Sequence, residues 1–141
     1  MKKGKTLSIV TVLFLAIASA VLGWSFYSVR PFEAINADEI EEIKAYAIPP
    51  GKEVFLSKAE VESVVPLLQD LKVSKPGYQL FTVGLGGQTV RFTVRKSDGS
   101  IIVISNVGNA LITIDNKSYQ ADYESAEAIN QFANKVLGTG F

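Results

Sequence analysis

The chain has 141 residues, with 14 Lys plus Arg, 14 Asp plus Glu, and neither Cys nor His. Without Cys, the chain lacks disulfides, thiol nucleophiles and thiolate metal sites. Without His, it lacks the commonest general base and the commonest transition-metal ligand. We therefore predict neither a metal site nor a cofactor, and the length allows one domain of ordinary size.

The charges are distributed unevenly along the chain. Residues 1–30 carry four bases and no acid, whereas residues 31–141 carry 10 bases and 14 acids. A domain with an excess of acids repels polyphosphate, so we do not expect a nucleic-acid partner.

The first candidate element is the uncharged, apolar stretch Leu7–Val29. A helix of this length would reach about 34 Å, which suffices for the hydrocarbon core of a bilayer. The stretch predicts a transmembrane signal anchor in the cell membrane, preceded by a cytoplasmic basic tail at residues 1–6. Residues 30–37 then read as a tether and residues 38–141 as an extracytoplasmic domain.

A cleaved signal peptide is the alternative interpretation of the same stretch. Ala18-Ser19-Ala20 fits a cleavage pattern, and cutting after Ala20 would give a secreted protein. Trp24 and Tyr27 favour the anchor, because they lie where an outer aromatic belt belongs.

The rest of the chain reads as short strands and two helices. Ser57 and Glu60 match a capping box at the start of the first helix, which Pro66 is expected to kink. Glu124–Leu137 reads as the second helix, with Gly138 just beyond it. Strands are predicted at Ile40–Ile48, Glu53–Leu56, Tyr78–Val83, Thr89–Arg95, Ile101–Ile104, Leu111–Ile114 and Tyr119–Tyr123. Asp98-Gly99 is a hairpin signal, and a second hairpin turn is predicted at Asp115-Asn116-Lys117.

Short connections between these strands favour antiparallel pairing. The predicted fold class is α+β: after the N-terminal transmembrane or signal-anchor helix, a small antiparallel sheet of four to five strands with two helices packed on one face.

One strand carries the candidate binding residues. Val90, Phe92 and Val94 alternate with Arg91, Thr93 and Arg95, so the latter three are predicted to share the solvated face of the strand. Such a row of donors could receive an anionic partner or an acidic peptide. The alternative is a solvated face neutralised by cross-strand Glu or Asp.

Other motifs have simpler explanations. Gly84-Leu85-Gly86-Gly87 precedes a strand rather than a helix, which indicates a turn rather than a phosphate loop. The acidic cluster Asp38, Glu39, Glu41 and Glu42 lacks the Gly of a calcium loop. Ser57-Lys58 and Lys117-Ser118 are adjacent pairs whose side chains diverge, so they do not predict a catalytic dyad.

Four features together carry a family resemblance. They are Ile40-Glu41-Glu42-Ile43 in a strand, Val54-Phe55-Leu56-Ser57 leading into a helix, the segment Ile112–Tyr119, and the closing helix. Over residues 38–137 the chain resembles small exported domains of unknown function in Firmicutes. The resemblance implies tethering by a lipid or a signal anchor and brings no catalytic residues; unlike the lipoprotein members, this chain has no Cys after its apolar segment.

Three functions fit these patterns. The favoured one is a membrane-anchored, non-enzymatic interaction or sensory module, held at the cell envelope by residues 7–29 and binding an envelope protein or peptide. The second is a structural or assembly subunit that acts through its transmembrane helix. The third is an enzyme, which would need a convergent polar pocket.

Overall fold

The computed structural model describes residues 3–25, 28–74 and 87–139. Within these ranges the chain forms three α-helices, a short 3₁₀-helix at Ala37–Glu39, and eight strands. The helices are α1 (Lys3–Ser25), α2 (Lys58–Asp70) and α3 (Tyr123–Leu137). The strands are β1 (Ser28–Val29), β2 (Ile40–Ile48), β3 (Lys52–Phe55), β4 (Val73–Ser74), β5 (Thr89–Lys96), β6 (Ile101–Val107), β7 (Leu111–Ile114) and β8 (Lys117–Ala121).

All eight strands belong to one antiparallel sheet, in the order β1-β4-β8-β7-β6-β5-β2-β3. The prediction of four to five strands was therefore wrong. The sheet is extended at one edge by β1 and β4, which are two residues long and too short to show an alternating pattern. The predicted strand Tyr78–Val83 and the residues Gly84–Gly86 of the glycine-rich motif lie outside the described residues.

Tight turns connect the central strands. Asp115 and Asn116 both have positive φ, at 46° and 68°, and link β7 to β8. This conformation suits a two-residue hairpin turn, because it matches the right-handed twist of the strands. Gly99 has a φ of 84° in the turn between β5 and β6, as the Asp98-Gly99 signal predicts.

Helices α2 and α3 cover one face of the sheet. The Ser57 hydroxyl and the Glu60 carboxylate form the predicted capping box at the start of α2. The helix runs through Pro66, which is exposed on its outer side. Phe92 of β5 is 1% exposed and packs against the ring of Phe132 in α3 at a centroid distance of 6.3 Å. The hydrophobic core therefore lies between these two helices and the sheet.

The N-terminal apolar stretch is not one continuous helix. Helix α1 ends at Ser25, and Ser28–Val29 pair with β4 as a strand of the sheet. Among the residues that the structure describes, no helix combines the length and the apolarity that a membrane crossing requires. This finding contradicts the transmembrane anchor predicted at residues 7–29 and the single-pass localisation inferred from it.

The segment predicted as a tether contributes to the core. Phe32 and Ile35 are 6% and 7% exposed, and both belong to the same buried cluster as the sheet and helix residues. The Gln69 side chain of α2 donates a hydrogen bond to the Ile35 carbonyl at 2.8 Å. Residues 30–37 are therefore tied to α2 rather than extended in solvent.

Candidate binding surface on the sheet

The second face of the sheet lies on the side away from α2 and α3. In β5, buried Val90, Phe92 and Val94 point toward α2 and α3, and the alternate residues point the other way. We call this second side the open face. Five neighbouring strands of the sheet, β3, β2, β5, β6 and β7, contribute the following side chains to it: Phe55, Glu53, Glu42, Lys44, Tyr46, Ile48, Thr89, Arg91, Thr93, Arg95, Ile101, Val103, Ser105, Val107, Leu111 and Thr113.

Arg91 lies near the middle of the open face. Its register neighbours are Tyr46 on β2 and Ser105 on β6, and the row continues to Thr113 and Ser118. The Arg91 Nε donates a hydrogen bond to the Ser105 Oγ at 3.3 Å. This bond occupies one of the five guanidinium N–H groups and leaves the two terminal nitrogens to other partners.

Charge pairing distinguishes Arg91 from its neighbours. Arg95 lies 3.3 Å from the Glu42 carboxylate, and Lys44 lies 3.2 Å from Glu53. Arg91 has no carboxylate within ion-pair distance among the described residues. The five charged side chains named on this face thus comprise three cations and two carboxylates, and the surplus positive charge is that of Arg91.

Apolar side chains surround the charged rows. Phe55, Ile48 and Ile101 are 58%, 51% and 56% exposed, although a folded chain would usually bury side chains of this size. The Lys44 ammonium lies 6.0 Å from the centre of the Phe55 ring, within the range of a cation–π interaction. The open face therefore combines hydrophobic contact area with one uncompensated cation.

The three predicted binding residues do share the open face. Arg91 and Arg95 are exposed and Thr93 is half-buried between them. Arg95 agrees with the alternative interpretation, a solvated face neutralised by cross-strand acids, because the Glu42 carboxylate pairs with it. The binding role of Arg91, Thr93 and Arg95 stays a prediction, and Arg91 is the residue whose surroundings favour it.

The acidic cluster is dispersed among separate partners. Glu39 binds Lys96 at 3.0 Å, and Glu42 binds Arg95, while Asp38 and Glu41 are exposed. No group of three Asp or Glu side chains in the described part of the chain is arranged to hold a metal ion. Ser57 is occupied by its capping role, since its hydroxyl lies 2.8 Å from the Glu60 carboxylate.

Three titratable groups have pKa values displaced by local hydrogen bonds. Hydrogen bonds from Ser57 lower the pKa of Glu60, and those from Ser100 lower the pKa of Asp98. The Glu39 carboxylate raises the pKa of Lys96 by accepting its hydrogen bond and by its charge. All three groups belong to a helix cap, a turn or a surface ion pair, so these displacements describe structural contacts.

A second feature, absent from the sequence-based predictions, is a cleft of about 630 Å³ at one end of the sheet. Four side chains of α3 line it: Glu127, Asn130, Gln131 and Asn134. Gln88, just before β5, and Asn109, in the turn between β6 and β7, line it from the sheet. We call this feature the amide cleft, because five of these six side chains are carboxamides.

Several oxygens at and behind the amide cleft are unpaired. The side-chain oxygens of Gln88, Asn106 and Asn130 are buried and accept no hydrogen bond from the described residues. Asn106 lies behind the cleft, where its Nδ2 donates to the Ala126 carbonyl at 2.8 Å and to the Asn109 Oδ1 at 3.3 Å. A buried acceptor without a partner costs about 1–3 kcal/mol, so such groups need an explanation.

Comparison with protein-family models, with curated proteins and with solved structures gave no match to this chain. The resemblance to exported Firmicutes domains therefore stays a prediction.

Proposed function

We propose that this chain is a non-enzymatic binding module whose open face docks an acidic segment of a partner protein. The observation that carries the proposal is the state of Arg91. Its guanidinium is exposed near the centre of the open face and is held at Nε by Ser105, and it has no carboxylate partner among the described residues.

The guanidinium of Arg91 suits a carboxylate ligand in both charge and shape. Its planar fork of N–H groups can bind both oxygens of an Asp or Glu side chain, a pairing stronger than a neutral hydrogen bond. Arg95 would first have to release Glu42, and Lys44 would have to release Glu53. Arg91 can accept an incoming carboxylate without breaking an existing ion pair.

The surroundings of Arg91 favour a polypeptide over a small anion. On one side of Arg91, Val103 and Val107 of β6 are half-buried. On the other side, Ile48 of β2 and Phe55 of β3 are exposed. A partner segment that carries a carboxylate between apolar side chains would use both kinds of contact. The apolar contacts contribute binding energy, and the charge selects the partner and its register.

A peptide panel tests this proposal directly. We would measure binding of the full chain to synthetic peptides with a central Asp or Glu flanked by Phe, Leu or Val. The same peptides with central Asn or Gln serve as neutral isosteres. A hydrogen bond to a charged group contributes about 1.5–3 kcal/mol, so the acidic peptides should bind roughly tenfold to a hundredfold more tightly.

Two matched variants assign the effect to one residue. Arg91→Gln should remove the preference for acidic peptides, whereas Arg95→Gln, which removes a cation already paired with Glu42, should largely retain it. Equal binding of acidic and neutral peptides, or an equal loss in both variants, would contradict the proposed role of Arg91.

A further inference from the structure

Helix α1 exposes apolar side chains on every side. Among residues 9–20, whose burial the structure describes, none is buried and Ala18 alone is half-buried. A helix that is apolar all round is normally enclosed, so this exposure needs an explanation outside the domain's own core. Seven large side chains of α1 are 56–73% exposed: Ile9, Val10, Val12, Leu13, Phe14, Leu15 and Ile17.

The folded domain begins after α1. The sheet starts at β1, where Ser28 and Val29 pair with Ser74 and Val73 of β4. Phe32 is the first member of the core cluster among the described residues. A cut before Ser28 would therefore leave all eight described strands and the core cluster in one piece.

The N-terminal sequence has the three parts of a signal peptide in the required order. Three of the first five residues are Lys, and the 11 residues 7–17 carry no charge. An apolar region of about 7–15 residues is typical of such peptides, and it is followed by two small residues separated by one, with the cut after the second. Ala18 and Ala20 are two such residues.

The position of Ser19 favours the bond after Ala20. Ala16 and Ala18 are also small residues separated by one, but Ala16 belongs to the uninterrupted apolar stretch. Ser19 is the first residue after Thr11 with a polar side chain, so Ala18-Ser19-Ala20 marks the end of that stretch. The cleavage motif of a signal peptide lies at this boundary.

The helix is exposed and locally weakened at this point. Ser19 and Ala20 are both exposed, and the Ser19 hydroxyl donates a hydrogen bond to the Leu15 carbonyl at 2.8 Å. A hydroxyl that bonds back to the fourth preceding carbonyl slightly destabilises a helix. Gly23 weakens the same region, because Gly is a poor helix former. Both features make it easier for the chain to open for an endopeptidase.

We infer that the peptide bond between Ala20 and Val21 is a processing site, cut by a signal peptidase. Hydrolysis adds one water molecule across this amide, so Ala20 receives the new carboxylate and Val21 the new α-amino group. Residues 21–141 keep the sheet, α2 and α3, while the seven exposed apolar side chains leave with residues 1–20. The cut thus removes a contiguous apolar surface that would otherwise promote association. This site is separate from the open face and does not depend on the function proposed for it.

The mass of the processed protein tests the inference. The full chain with a C-terminal affinity tag would be produced in a bacterial host with a general secretion pathway and recovered from cells and medium together. We expect intact-mass analysis and N-terminal sequencing to give residues 21–141 plus the tag. Incubation of the purified full chain with signal peptidase in detergent should give the same cut.

Three Leu substitutions assign the cut to the small residues. Ala20→Leu and Ala18→Leu each place a large side chain where the motif requires a small one, so both should lose the cut after Ala20. Ser19→Leu is the matched control, because it places the same side chain between them, where the motif accepts any residue, and it should be cut like the unaltered chain. All three positions lie outside the core cluster, so the domain should fold equally well in each variant.

Three results would overturn the inference. They are recovery of residues 1–141 uncut, a cut at another bond such as the one after Ala18, and equal cutting of Ala20→Leu and the unaltered chain. The first result, combined with self-association of the full chain, would assign the apolar surface of α1 to contacts between copies.

Discussion

Arg91 and Ser105 face each other across β5 and β6, and the Arg91 Nε donates a hydrogen bond to the Ser105 Oγ at 3.3 Å. This contact fixes one edge of the guanidinium and leaves its terminal nitrogens to other partners. The long side chain of an exposed Arg would otherwise lose conformational entropy on binding. Ser105 is therefore expected to prepare Arg91 for a carboxylate.

Loss of the hydrogen bond between Ser105 and Arg91 should weaken binding to the acidic peptides. Ser105→Ala removes one hydrogen bond of about 0.5–1.5 kcal/mol, which corresponds to a roughly twofold to tenfold weaker affinity. Ser118→Ala is the matched control, because Ser118 lies in the same row of the open face without contacting Arg91. Calorimetric titration of both variants would measure the difference, and equal affinities would argue against a positioning role for Ser105.

Phe32 should be essential to stability although it precedes the first long strand. Its side chain is 6% exposed within the core cluster. Removal of a buried aromatic ring leaves a cavity, so Phe32→Ala should lower the free energy of unfolding by about 3–5 kcal/mol. Urea unfolding would measure this loss, with Glu33→Ala at a neighbouring exposed position expected to stay within about 0.5 kcal/mol. A small effect of Phe32→Ala would indicate that residues 30–37 are a tether after all.

The capping box of α2 should make stability depend on pH in the acid range. Hydrogen bonds from Ser57 lower the folded-state pKa of Glu60 below its ordinary value of 4.5. A carboxyl with a lowered pKa stabilises the fold above its unfolded pKa, and this contribution is lost as the pH falls through the folded value. Glu60→Gln should therefore reduce stability at neutral pH and flatten the decline below pH 4.5.

Urea unfolding across a pH series would measure that dependence. Glu62→Gln is the matched control, because it removes an exposed carboxylate from the same helix and leaves the capping box intact. In Glu62→Gln the free energy of unfolding should decline at acid pH as steeply as in the unaltered chain. An equally steep decline in Glu60→Gln would show that the capping carboxylate is not responsible.

Local signals in the sequence were sufficient for most elements of the domain. The alternation in β5 and the turn residues Asp98-Gly99 and Asp115-Asn116 predicted their strands and hairpins, because both depend on neighbouring residues only. The two-residue strands β1 and β4 could not be predicted in this way. They exist because distant segments pair at the edge of the sheet.

The N-terminal error has a related cause. Val29 is apolar whether it lies in a helix or in a strand, so composition alone did not show that α1 ends at Ser25. A continuous apolar run gives no period that separates the two conformations. Pairing of Ser28–Val29 with β4 is a long-range contact, and it decided the conformation of those residues.

The candidate surfaces show the same division between local and long-range information. The shared face of Arg91 and Arg95 was predictable from the two-residue period of a strand. The sequence did not show which of the two is neutralised, because that depends on the register that sets Glu42 opposite Arg95. The polar spacing of Glu127, Asn130, Gln131 and Asn134 is visible in the sequence, but the strand ends that close the amide cleft are not.

A charge exchange between Arg91 and the peptide tests the central claim most directly. The Arg91→Glu variant and the unaltered chain would each be titrated with the best acidic peptide and with the same peptide carrying Lys in place of its central acid. If Arg91 contacts that position, Arg91→Glu should lose the acidic peptide and gain the Lys peptide, while the unaltered chain does the reverse. The same preference in both proteins would contradict docking at Arg91.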